Sequence, residues 1–162
     1  MGTSITEGVS PLVLDRDYPE QVCSIARALE VVGERWTLLI VRDVLLERRR
    51  FDELLASVGT TPAMLTRRLR GLVAEGVLER RLYQERPRRY EYHLTDKGRE
   101  LFDVLVALMN WGDRHYGPPP RLLVHEHCGQ PLDPYIACVH CGQPAHAHVV
   151  DPQPGPGARS CV

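Results

Sequence analysis

One stretch, Phe51 to Thr95, limits the fold of this chain more than any other. Phe51 to Val58 has helical periodicity, and Gly59-Thr60-Thr61-Pro62 reads as a turn. Ala63 to Glu75 is a second helical run, closed by Gly76. Val77 to Gln84 and Tyr90 to Thr95 are β-type runs on either side of Glu85-Arg86-Pro87-Arg88-Arg89. Helix, turn, helix and a two-stranded ribbon in that order make a winged helix-turn-helix, an arrangement whose second helix enters the DNA major groove. The fold class expected is therefore α+β, mostly α.

The second helix of the motif divides cleanly. Leu65, Leu69, Leu72 and Val73 form one apolar stripe, and Ala63, Arg67, Arg70 and Ala74 fall on the opposite face at about 100° per residue. Thr61 is a natural N-cap, and Pro62 occupies the first helical position, where its missing N–H costs nothing. Small residues and arginines on the free face let a helix enter a groove, where Arg can make bidentate bonds to guanine. The expected DNA contacts are Thr61, Ala63, Met64, Thr66, Arg67 and Arg70 on the helix, with Arg86, Arg88 and Arg89 at the ribbon tip reaching phosphates or the minor groove.

Charge supports this placement locally rather than globally. The chain carries a net charge of −1, but Arg48 to Arg89 holds eleven arginines, no lysine and five acids, an excess of +6. A basic lobe on a nearly neutral protein suits phosphate contact. Part of the clustering reflects a chain whose only lysine is Lys97.

Upstream, Ile25, Leu29 and Val32 lie at helical spacing in Cys23–Val32, with Gly33 as terminator. Arg35–Leu46 forms another helix, its Trp36, Leu39, Ile40, Val44 and Leu45 facing a core. Downstream, Thr95 caps a long helix reaching about Tyr116. Leu101, Phe102, Val104, Leu105, Val106, Leu108, Met109 and Trp111 surround most of its circumference. One stripe would pack it on its own domain; a second points to another subunit. A two-fold dimer places two recognition helices about 34 Å apart and calls for a palindromic operator.

These blocks closely resemble the HxlR family of winged-helix regulators, within the MarR-like group. Cys23 to Ile40, Arg50 to Leu54, Leu65 to Leu72, Glu75 to Arg80 and Tyr90 to Gly98 carry the resemblance, in order and at family spacing. The resemblance covers about Cys23 to Gly117. It implies a dimeric transcription factor, usually a repressor, with dimer contacts from the first and last helices. An enzyme is not expected, since no base lies near Cys23 in sequence and the four candidate metal ligands further on leave no open position for water. Some members use a cysteine at the position of Cys23 to sense electrophiles or oxidants. Its place at a helix start, one turn before Arg27, favours a thiolate. Many members have Pro after this cysteine where this chain has Ser24, and a structural thiol at the dimer interface is the alternative role.

After Pro118-Pro119-Pro120 the chain repeats itself. His125-Glu-His-Cys-Gly-Gln-Pro131 returns thirteen residues later as Cys138-Val-His-Cys-Gly-Gln-Pro144. His125, Cys128, Cys138 and Cys141 thus form a His-x-x-Cys and a Cys-x-x-Cys knuckle, a set suited to tetrahedral Zn²⁺ in a closed structural site. His127 is the rival for His125. A segment of about 30 residues needs such a staple, and it resembles a minimal zinc ribbon, an appendage of some members of the family. Tail cysteines without metal, or a metal- or redox-responsive switch, are the other readings. Cys161 makes five cysteines in all, and their uneven spacing argues against a secreted disulfide framework.

The expected organisation is a flexible arm (1–18), a winged-helix DNA-binding and dimerisation domain (19–117), a zinc-ribbon-like segment (118–150) and a disordered tail (151–162). No apolar run is long enough to span a membrane and no secretory signal is visible, so a cytoplasmic location is expected. The competing function is a winged-helix module for protein–protein contact without an operator of its own.

Overall fold

A computed structural model of the chain describes residues 23–157. The expected arm (1–18) and Cys161 lie outside these residues. The element order is α1 (Ser24–Val32), α2 (Thr37–Leu45), α3 (Phe51–Val58), α4 (Pro62–Ala74), β1 (Leu78–Gln84), β2 (Arg89–Leu94), α5 (Asp96–Arg99) and α6 (Leu101–Tyr116), then β3 (Val124–His125) and β4 (Gln130–Pro131). This is a helix-rich α+β winged helix-turn-helix with a short appendage. Among the described residues, no helix is long and apolar enough to cross a membrane.

The core forms where the apolar stripes of α2, α3 and α4 meet the base of the ribbon. Ile40, Val41, Leu54, Leu65, Leu69, Leu72, Val77 and Leu78 are essentially inaccessible to solvent. They form one cluster with Val44, Val58 and Leu94. Each of these aliphatic side chains, fully buried, contributes about 1.5–3 kcal/mol of transfer free energy, so the helix-turn-helix is held by the same contacts that orient it. Trp36, Leu39 and Leu45 pack on the edge of this cluster. Asp43 is the unexpected member. Its side chain is fully buried, and its Oδ1 accepts from Arg42 Nε at 2.9 Å and faces Arg48 at 3.5 Å.

Helix α3 opens with the Glu53 carboxylate accepting from the backbone N–H groups of Arg49 and Arg50 at 3.0 and 2.9 Å. It closes on Gly59 at φ 69°, the left-handed conformation that favours glycine. Helix α4 starts as its sequence predicts, with Thr61 Oγ1 accepting from Met64 N at 3.3 Å and Pro62 in the first turn.

The long C-terminal helix is in two pieces, a correction to the single run expected from Thr95. Thr95 does cap α5, accepting from Gly98 N at 3.1 Å. Gly98 lies so close to the ribbon base that a β-carbon there would run into the Val77 carbonyl. Thr95 also donates to the Gly76 carbonyl at 2.6 Å, and Lys97 to that of Glu75. These bonds fasten α5 to the turn after α4, and Glu100, itself in right-handed helical conformation, joins α5 to α6.

Candidate nucleic-acid interface

The two faces of α4 separate as the periodicity requires. Leu65, Leu69 and Leu72 are buried, while Ala63, Arg67, Arg70 and Ala74 are exposed. Met64 and Thr66 are half-buried, and the Thr66 hydroxyl turns back to donate to the Pro62 carbonyl at 2.8 Å. Thr61 is exposed, with its hydroxyl committed to the cap. Arg68 does not join the free face. It is only 11% exposed and forms an ion pair with Glu34 at 2.5 Å, tying α4 to the turn between α1 and α2.

The wing is an antiparallel ribbon in which Leu78 pairs with Leu94, Arg80 with Tyr92 and Leu82 with Tyr90. Its base is anchored by the buried Leu78 and Leu94. At the tip, Arg86, Arg88 and Arg89 are exposed. A further backbone bridge joins Arg50 to Glu91, and Tyr92 N donates to the Arg49 carbonyl at 2.8 Å. The Arg50 side chain reinforces it, with Nε 3.1 Å from Glu91 and its guanidinium 4.7 Å from the Tyr83 ring centroid. That hydrogen bond to Glu91 raises the Arg50 pKa and secures its charge. The sequence carried no signal for this clamp beyond the Arg48-Arg49-Arg50 run.

Ion pairing sorts the arginines of this lobe into two groups. Arg42, Arg48, Arg49, Arg50, Arg68 and Arg81 each face a carboxylate. Arg67, Arg70, Arg80, Arg86, Arg88 and Arg89, all exposed, have no carboxylate partner among the described residues. Positive charge left unneutralised on an exposed helix face and an adjacent wing is the electrostatic footprint of a DNA reader.

Comparison with known proteins agrees with this geometry. Residues 31–119 match the family described as HxlR-like helix-turn-helix. The chain belongs to that family. It is 46% identical over 141 residues to the HTH-type transcriptional regulator Rv3095 of Mycobacterium tuberculosis, covering 85% of this chain and 89% of the relative. Among solved structures it is similar to PA1607, assigned as a transcription factor, with a TM-score of 0.71 and 37% identity over 81% of this chain and 94% of that one. It is also similar to the redox regulator HypR in its reduced form, with a TM-score of 0.52 and 30% identity over 57% of this chain and 95% of that one. This HxlR-like chain is an HTH-type, DNA-binding transcriptional regulator. Its relatives form a non-enzymatic family, and it is not an enzyme.

Cys23 stands at the N-cap of α1, half-buried. The backbone N–H groups of Ala26 and Ile25 hold its thiol below the usual range; slight burial opposes them and Arg27 assists. The helix start thus polarises this sulfur even with Ser24 in place of a proline.

The appendage repeats in three dimensions as it does in sequence. Gly129 N donates to the His125 carbonyl at 2.8 Å, and Gly142 N to that of Cys138 at 2.8 Å. Both glycines are left-handed, at φ 67° and 70°. Leu132 N reaches the Leu123 carbonyl just as Ala145 N reaches that of Ile136. Within the first knuckle His125 Nδ1 lies 3.4 Å from Cys128 Sγ. In the second, the N–H groups of Cys141 and His140, and the Cys141 thiol, lower the Cys138 pKa. His127 and His140 are exposed. The structure brings the four expected ligands together in pairs but not as a foursome. Among the described residues, no three His, Cys, Asp or Glu side chains stand close enough to hold one metal ion. Each pair is closed by its own local turn, and no comparable backbone bond draws one knuckle to the other.

Proposed function

We propose that this regulator is a homodimer that binds a palindromic operator, represses from it, and is released when an oxidant or electrophile modifies Cys23. The observation that carries the DNA reading is the segregation of arginines. Those without carboxylate partners among the described residues include Arg67 and Arg70 on α4 and all three at the wing tip, whereas the arginines with structural roles are neutralised. Dimerisation is supported by apolar side chains that the monomer leaves uncovered. Ile25 and Leu29 on α1 are exposed, as are Phe102, Val104, Leu108 and Trp111 on α6. Two apolar faces on the first and last helices of one domain are better covered by a second copy than by water. The redox reading rests on the polarised Cys23 thiol and on the likeness to HypR.

Residues 118–150 are read as a zinc-ribbon-like segment, with Zn²⁺ held by His125, Cys128, Cys138 and Cys141. The donor chemistry and the two chelating turns support this reading. Bound metal would supply the link between the knuckles, a folding contribution rather than a chemical one.

The test of the central reading is operator binding measured by fluorescence anisotropy, on a duplex selected from random sequence. Arg67→Ala is expected to weaken binding by about 1–3 kcal/mol and to relax sequence preference. Unchanged affinity and preference would overturn the assigned docking and favour the protein–protein module.

A further inference from the structure

The ribbon has two faces of opposite electrostatic character. On one, Arg81 is bound to Glu79, Arg50 to Glu91, and His93 lies 3.7 Å from Glu91. Charge there is neutralised within the protein. On the other face, strand alternation places Leu78, Arg80 and Leu82 opposite Leu94, Tyr92 and Tyr90. The inner pair, Leu78 and Leu94, enters the core against α4, so the next pair outward, Arg80 and Tyr92, lies where ribbon and recognition helix meet. Arg80 is exposed, has no carboxylate partner among the described residues, and holds its guanidinium 4.2 Å from the Tyr90 ring centroid.

A guanidinium held over an aromatic ring is fixed in position while its in-plane N–H groups remain available to acceptors. Burial pushes the Tyr92 phenol up, so it stays an O–H donor, and the positive charges of Arg80 and Arg70 both reach it. Arg80 from the ribbon and Arg70 from α4 thus both bear on one phenol, and neither has a carboxylate partner among the described residues. A phosphodiester oxygen is the acceptor that two unpaired guanidinium groups and a phenol O–H would share.

We propose that Arg80, held by Tyr90, forms with Tyr92 and Arg70 a cradle for one DNA backbone phosphate at the junction of the recognition helix and the wing. The cradle rests on the DNA-binding reading above and adds to it a contact that reads no sequence. Its task is registration: it fixes how deep α4 sits in the groove and where the wing tip falls.

The experiment compares Arg80→Gln, Arg80→Ala, Tyr92→Phe, Arg67→Ala and Arg81→Ala in the full-length protein. Each is titrated with the selected operator and with an unrelated duplex across a salt series. Both Arg80 variants are expected to lose on the order of tenfold affinity on both duplexes, and the slope of log K against log salt should shrink by about 0.9. Tyr92→Phe should lose less and keep the slope, while Arg81→Ala behaves as wild type. Thermal unfolding of each variant identifies any loss due to misfolding, and Arg80→Gln retains the stem that packs on Tyr90. If Arg67→Ala weakens operator binding but the salt slope of Arg80→Gln is unchanged, the cradle is wrong and the DNA reading stands. Should a well-folded Arg80→Gln lose affinity for the operator alone, the contact is to a base and the proposal also fails. If neither Arg67 nor Arg80 matters, both readings fall together.

Discussion

Replacing Gly98 by alanine sets two effects of opposite sign against each other, and the structure decides between them. Gly98 is helical, and alanine is worth up to about 1 kcal/mol more than glycine in a helix interior. A β-carbon at this position, however, would fall well inside contact distance of the Val77 carbonyl oxygen and 2.8 Å from Leu94 Cδ2. The carbonyl belongs to backbone that is held in place, because it accepts from Thr95 N at 3.2 Å while the Thr95 hydroxyl holds the neighbouring Gly76 carbonyl at 2.6 Å. Relief requires α5 to lift off the ribbon base. Overpacking of this kind costs about 1–3 kcal/mol, and each weakened hydrogen bond adds about 1 kcal/mol. The net expectation is a loss of about 1–3 kcal/mol, measured by urea unfolding at fixed protein concentration with the m-value monitored. Gly71, exposed on α4, has nothing within 4 Å of the place a β-carbon would take, and no positive φ. Gly71→Ala should therefore stabilise by about 0.5–1 kcal/mol. Equal effects at the two glycines, or a stabilised Gly98→Ala, would refute the argument from the Val77 contact.

Two further outcomes are expected. The alkylation rate of Cys23, followed by mass spectrometry of its peptide, should rise with pH at a midpoint below that of the same peptide unfolded, because the Ala26 and Ile25 N–H groups favour the thiolate. By linkage, the stabilisation from that thiolate is present above the unfolded pKa and is lost as pH falls through the folded one; coincident midpoints would refute the polarised thiol. Protein purified without a histidine tag should carry about one zinc per chain, the ratio falling in Cys128→Ser and Cys141→Ser. A ratio near zero in the wild type would remove the metal reading, and His125→Ala beside His127→Ala identifies the fourth ligand.

Hydrophobic periodicity made the helix-turn-helix legible because it reports which face of each element meets the core. Leu65, Leu69 and Leu72 predicted the orientation of α4, and Arg67 and Arg70 followed by exclusion. Periodicity assigned no role to Arg68, and nothing in a linear pattern identifies Glu34 as its partner. Asp43 was hidden for a similar reason: its burial depends on Arg42 and Arg48 closing over it. The fastening of α5 rests on backbone carbonyls of Gly76 and Val77, which Thr95 reaches from 19 and 18 residues downstream, far beyond any helical window. The thirteen-residue repeat predicted two matching turns, and the turns match in hydrogen bonding. How the knuckles lie relative to one another is a tertiary question that repetition does not answer.

The bridge between Arg50 and Glu91 has a consequence for what lengths of chain this fold tolerates. Surface loops in general accept insertions at little cost, and the five residues after α2 look from their composition like such a loop. Here they end in a strand partner whose side chain must arrive on the same side of the ribbon as Glu91 and Tyr83. One added residue would turn Arg50 to the opposite side and advance α3 in the same stroke. The segment from Leu46 to Arg50 therefore behaves as a ruler between core and wing, more sensitive to a change in length than to most changes in sequence.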